Sequence, residues 1–123
     1  VKYDVVVHLR PDLVPLQPLS TELVASVENN TLYSPAWNQL GAVNERFAMG
    51  VPEVMEAYGN RMDLAMEYVK QRNETVHAEK LALFTLNHLN IRSRPVVETE
   101  LARVRANGRL WEYFPVRGEA LAG

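Results

Sequence analysis

Leu101-Ala102-Arg103-Val104-Arg105-Ala106-Asn107-Gly108-Arg109-Leu110-Trp111-Glu112-Tyr113-Phe114 is the stretch whose reading decides the fold. It sets an Asn-Gly dipeptide between two runs of alternating character. Asn and Gly reach positive φ at least cost, so the pair favours a two-residue type I′ turn between antiparallel strands. With Asn107 and Gly108 as the loop, Ala106 faces Arg109, Val104 faces Trp111 and Ala102 faces Tyr113 on one side. On the other side Arg105 faces Leu110, Arg103 faces Glu112 and Leu101 faces Phe114. Arg103 opposite Glu112 is a cross-strand pair of opposite charge, which favours this register over a slip by one. A β-hairpin is therefore expected over residues 96–116.

Upstream the period changes from two to about 3.6. Leu81, Ala82, Leu83, Phe84, Leu86 and Leu89 cover most of a helix circumference, so a helix from about 75 to 89 is expected to be central to the core. Asn73 or Thr75 is its candidate cap and Asn90 its left-handed exit. Before it, Val54, Met55, Tyr58, Met62, Ala65, Met66 and Val69 form one stripe, which predicts a continuous helix over 52–72. Gly59 weakens that helix and suggests a close helix crossing. Met55, Met62 and Met66 are read as core filler in preference to an adaptable binding groove. Ser34-Pro35 looks like a helix start, with Trp37, Leu40, Val43 and Phe47 on one face up to Gly50. Trp37 and Trp111 are assigned to the core.

Ser20 or Thr21 caps a short helix that ends near Asn29-Asn30. Pro11, Pro15 and Pro18 make 11–18 a stiff extended connector. Residues 1–10 alternate, with Val1, Tyr3, Val5, Val7 and Leu9 against Lys2, Asp4, Val6 and His8, so they predict a strand closed by Pro11. The expectation is one α+β domain over 1–123, with a helical region at 20–90. Three or four helices would pack on one face of a small antiparallel sheet, built from the N-terminal strand and the C-terminal hairpin.

With 123 residues, 47% hydrophobic and 23% charged, the chain is globular in composition. It has no cysteine, so neither a disulfide framework nor a thiolate zinc site is available, and a reducing cytoplasm is the expected setting. No apolar run approaches the roughly 20 residues of a membrane span. Net charge is −2, divided as −4 over 1–90 and +2 over 91–123, where all six bases are arginine. The favoured reading of those arginines is ion pairing with nearby glutamates on a solvated face, not a nucleic-acid footprint.

Catalytic patterns are missing from the sequence. His77 and His88 stand three helical turns apart, about 16 Å, too far for one metal ion. Glu74 and His77 form a lone Glu-x-x-His with no second copy to complete a di-iron site. His77-Ala78-Glu79 lacks the paired cysteines a zinc deaminase would need. Ser20, Ser26, Ser34 and Ser93 sit in no nucleophile elbow, and the six glycines form no phosphate loop. No cofactor and no metal are expected.

Function then ranks as follows. A non-enzymatic interaction protein, bound to a protein partner or to itself, comes first. Its candidate contact residues are Arg103, Arg105, Arg109, Leu110, Glu112 and Phe114, which give the hairpin face the mixed composition of an interface. A nucleic-acid-binding protein of winged-helix-like order, with those arginines reaching phosphates, is the alternative. A small enzyme or ligand carrier with a pocket of scattered residues is third.

Overall fold

Thr31–Pro35 is a strand buried along its whole length, and its two faces feed two different cores. Leu32 packs with Ala48, Val54, Met55, Tyr58, Ala82 and Leu86. Tyr33, one residue on, packs with Leu13, Phe47, Met49, Val96 and Leu101. Successive side chains of a pleated strand point to opposite faces, and here both faces are covered.

The computed structural model describes residues 4–37, 43–96 and 101–114. Among them the order is β1 (Val6–Leu9), β2 (Leu13–Pro15), α1 (Thr21–Ala25), β3 (Thr31–Pro35), β4 (Phe47–Gly50) and α2 (Pro52–Gly59). A 3₁₀ turn (Arg61–Leu64), α3 (Ala65–Arg72), α4 (Ala78–His88), β5 (Arg92–Val96), β6 (Leu101–Val104) and β7 (Leu110–Phe114) follow. The chain is thus α+β. A mixed four-stranded sheet runs β1-β4-β3-β5, with β5 parallel to β3, and a three-stranded antiparallel sheet runs β2-β6-β7. Helices α2 and α4 cover one face of the larger sheet. Leu13 and Leu101 of the smaller sheet, with Leu23 and Val24 of α1, cover the other.

The sheets differ from the sequence expectation in who pairs with whom. β1 lies against β4, with Val6 opposite Gly50 and Leu9 opposite Phe47, and does not join the hairpin. The hairpin takes β2 instead, drawn from the proline-rich stretch read as a connector. Pro15 is tolerated because β2 is an edge strand and its missing N–H need not be laddered. A β-turn, with Leu13 N–H donating to Arg10 C=O at 3.1 Å, carries the chain from one sheet to the other.

Ser34-Pro35 ends a strand, and among the described residues no helix follows it before β4. The run Thr31-Leu32-Tyr33 is β-branched and aromatic, and pairing on both sides, with β4 and β5, outweighs the helix-start motif. Phe47 likewise belongs to β4. Leu40 lies outside the described residues. Buried Asn44 ties the two ends of this connection, donating to Trp37 C=O at 2.8 Å and accepting from Arg46 N–H at 3.0 Å.

In the hairpin the outer register is as read: Leu101 opposite Phe114, Ala102 opposite Tyr113 and Arg103 opposite Glu112. The tip is different. Gly108 N–H donates to Arg105 C=O and Arg105 N–H to Arg109 C=O, each at 2.9 Å, so three residues form the loop. Only Gly108 there has positive φ, at 82°, whereas a type I′ turn would need it at Asn107 as well. Val104 then pairs with Leu110, and Trp111 is the extra residue of a bulge that restores the outer register. Residues 97–100 and 115–116 of the expected hairpin lie outside the described residues.

Candidate interaction surface

The stretch read as one helix over 52–72 is broken at Gly59-Asn60, and that break decides what the surface presents. Pro52 starts α2, and Val54, Met55 and Tyr58 are its buried face. At its end Arg61 takes over. Its Nη1 donates to Tyr58 C=O at 2.8 Å, its Nε to Glu45 Oε1 at 2.9 Å, and its guanidinium lies 4.3 Å from the Tyr58 ring centre. Burial pushes the Tyr58 phenol up to about 12. The 3₁₀ turn that follows advances three residues per turn instead of 3.6, so the helix resumes with a different phase.

As a result α3 buries Tyr68, which is 1% exposed and packs with Leu81 and Phe84. The methionines turn outward, with Met62 66% exposed, Met66 69% and Val69 37%. The expectation that Met62 and Met66 fill the core is overturned; of the three helical methionines read that way, only Met55 does. Gly59 marks no helix crossing among the described residues. Its nearest neighbour in the direction of an added Cβ is His8 of β1, at 3.6 Å. The local signal for the break was Gly59-Asn60, two poor helix formers in succession.

Two exposed charges stand beside the stripe, Asp63 one residue after Met62 and Lys70 one residue after Val69. Among the described residues neither makes an ion pair. Glu67 is engaged along its own helix, accepting from Gln71 at 2.7 Å.

Behind α3 a cleft of about 220 Å³ is lined by Tyr68, Arg72, Glu74, Lys80, Leu83 and Phe84. Its charges answer one another. The Tyr68 phenol donates to Glu74, which holds the carboxyl below its ordinary range, and the nearby Lys80, Arg72 and His77 add to that lowering. The same bond holds the Tyr68 phenol protonated to higher pH. This is a latch across the α3–α4 connection. His77, exposed, is the N-cap residue of α4 and makes no side-chain cap hydrogen bond, so the helix starts after the Asn73 or Thr75 cap expected from the sequence.

The hairpin residues named from sequence are placed separately. Arg103 Nε is 4.0 Å from Asp12 Oδ2, Arg105 and Arg109 are exposed beside the turn, and Leu110 is half-buried. For Glu112 and Phe114 the backbone register alone is described. Leu101, counted with that face, is core at 2% exposure. Arg92 and Arg94 pair with Glu28 at 3.4 and 3.2 Å, as the solvated ion-pair reading has it for these two. Leu101 and α4 lie on opposite sides of the larger sheet, so the hairpin does not flank α4 as a wing flanks a recognition helix.

Among the described residues no group of three metal-ligating side chains converges, and no helix is long and apolar enough to cross a membrane. Compared with protein-family models, curated proteins and solved structures, the chain matches none.

Proposed function

We propose that this protein acts by docking a protein partner, and that the Met62–Met66–Val69 stripe is the surface it uses. The observation that carries this reading is Met66, 69% exposed between two further exposed apolar residues on one helical face. Unbranched, polarisable methionines adapt to the shape they meet, which is why they recur on protein-binding surfaces. Grouped apolar exposure costs solubility unless something covers it, whereas single apolar residues need no explanation. The hairpin contributes less to this reading, because its apolar Leu101 is committed to the core.

Affinity capture with wild-type protein, Met66→Glu and the hairpin variant Arg105→Glu tests this. Wild-type protein and the two variants should give the same circular dichroism and melting profile. Partners captured by wild-type and Arg105→Glu should be lost with Met66→Glu. Identical captured sets for wild-type and Met66→Glu would end the proposal.

A further inference from the structure

We infer that the partner seated on this stripe is a second copy of the same chain, with the two α3 segments antiparallel about a two-fold axis near Met66. This rests on the reading of the stripe as a docking surface and adds the identity of its occupant.

The argument is one of charge and symmetry. Asp63 and Lys70 flank the stripe on the same side in helical projection, and Met66-Glu67 lies midway between them. In a two-fold pair the same patch meets itself, so each contact occurs twice. Laid antiparallel, Asp63 of one copy comes opposite Lys70 of the other, and Lys70 opposite Asp63. Laid parallel about a two-fold axis along the helices, the charged flank of each copy falls on the opposite edge of the seam, and neither Asp63 nor Lys70 finds an opposite charge from this pair. Opposite charges across a helix pair set its orientation, and only the antiparallel arrangement makes the two Asp63–Lys70 pairs. Both side chains are available, since neither has an ion-pair partner among the described residues. Arg61, at the start of the segment, brings no bare charge, because Glu45 already answers it at 2.9 Å. The apolar residues agree with this arrangement. With the axis near Met66, the two Met66 side chains meet at the centre, and Met62 of each copy lies toward the Val69 end of the other. The segment is short, the 3₁₀ turn of four residues and α3 of eight. The pair should therefore form and dissociate with concentration.

Sedimentation equilibrium from about 1 µM to about 1 mM tests this directly. Wild-type protein should pass from monomer to dimer within that range, and Met66→Glu should stay monomeric. Asp63→Lys and Lys70→Asp should each weaken the dimer about tenfold at low salt. The double variant carrying both reversals should regain wild-type strength, because it restores opposite charges in the swapped sense. Monomer at every concentration overturns the inference, and so does a dimer indifferent to the two single reversals. A monomer that still loses a captured, different partner on Met66→Glu overturns the second copy as occupant while leaving the docking surface standing. Unchanged capture together with an unchanged monomer removes both.

Discussion

Arg61 donates from Nη1 to the main-chain oxygen of Tyr58 at 2.8 Å, and its guanidinium sits 4.3 Å from the centre of that residue's own ring. One side chain thus caps the last turn of α2, covers its buried aromatic and, through Glu45, ties the break to the loop before β4. Arg61→Ala removes all three and leaves Glu45 without its partner. The expected loss is about 1–3 kcal/mol, read from urea denaturation. A loss under about 0.5 kcal/mol would show that the break stands without Arg61.

Tyr68 and Glu74 predict a pH dependence. Glu74 is held below its ordinary value of 4.5, first by the Tyr68 hydrogen bond, so it favours the fold above that value. The benefit disappears as pH falls through the lower folded value. Tyr68 is raised above 10.0 by the same bond, so its contribution is complete below pH 10.0 and is lost as pH rises through the folded value. Tyr68→Phe should therefore flatten stability against pH on both limbs. Parallel curves for variant and wild type would show that the bond contributes nothing.

Gly50 closes β4 where the backbone of β3 comes near. A Cβ there would stand 3.1 Å from Thr31 O, 3.2 Å from Val54 Cγ1 and 3.4 Å from Met55 Sδ. The first of these is main chain and yields only if β3 shifts. Gly50→Ala should cost about 1–3 kcal/mol, with the loss visible in the thermal midpoint. An unchanged midpoint would mean that the sheet and α2 separate freely.

The hairpin tip separates two turn types by mutation. Gly108 has φ 82° with nothing within 4 Å of an added Cβ, so Gly108→Ala meets backbone strain alone, about 1 kcal/mol. Asn107 has no positive φ and contributes its Oδ1, which accepts from Arg109 N–H at 3.0 Å. Asn107→Ala should then cost less than Gly108→Ala. Equal and larger losses at both positions would point to a type I′ turn.

Ser34 Oγ is fully buried and has no hydrogen-bond partner among the described residues. Ser34→Ala removes an unsatisfied hydroxyl and should leave stability unchanged or raise it by up to about 1 kcal/mol. A clear loss in a denaturant titration would indicate that the hydroxyl does work in the sheet.

By itself the sequence determined the α+β class, the outer register of the hairpin, a cap of α1 at Ser20 or Thr21, the burial of α4 apart from Leu89, which is 45% exposed, and the left-handed exit at Asn90. These depend on neighbours close along the chain: alternation, a capping hydroxyl, a cross-strand charge pair, an asparagine that tolerates positive φ. The tertiary structure alone decided that Thr31–Pro35 is a strand, that β2 and not β1 joins the hairpin, and that Met62 and Met66 face outward. Each of these turns on a partner far along the chain: β5 beside β3, β6 beside β2, Glu45 holding Arg61 at the helix break. Hydrophobic spacing says that a stripe of residues shares a face; it cannot say which way that face points once a 3₁₀ turn has changed the phase. For the same reason the outward turn of Met62, Met66 and Val69 was not legible in the sequence, because it depends on the break after Gly59.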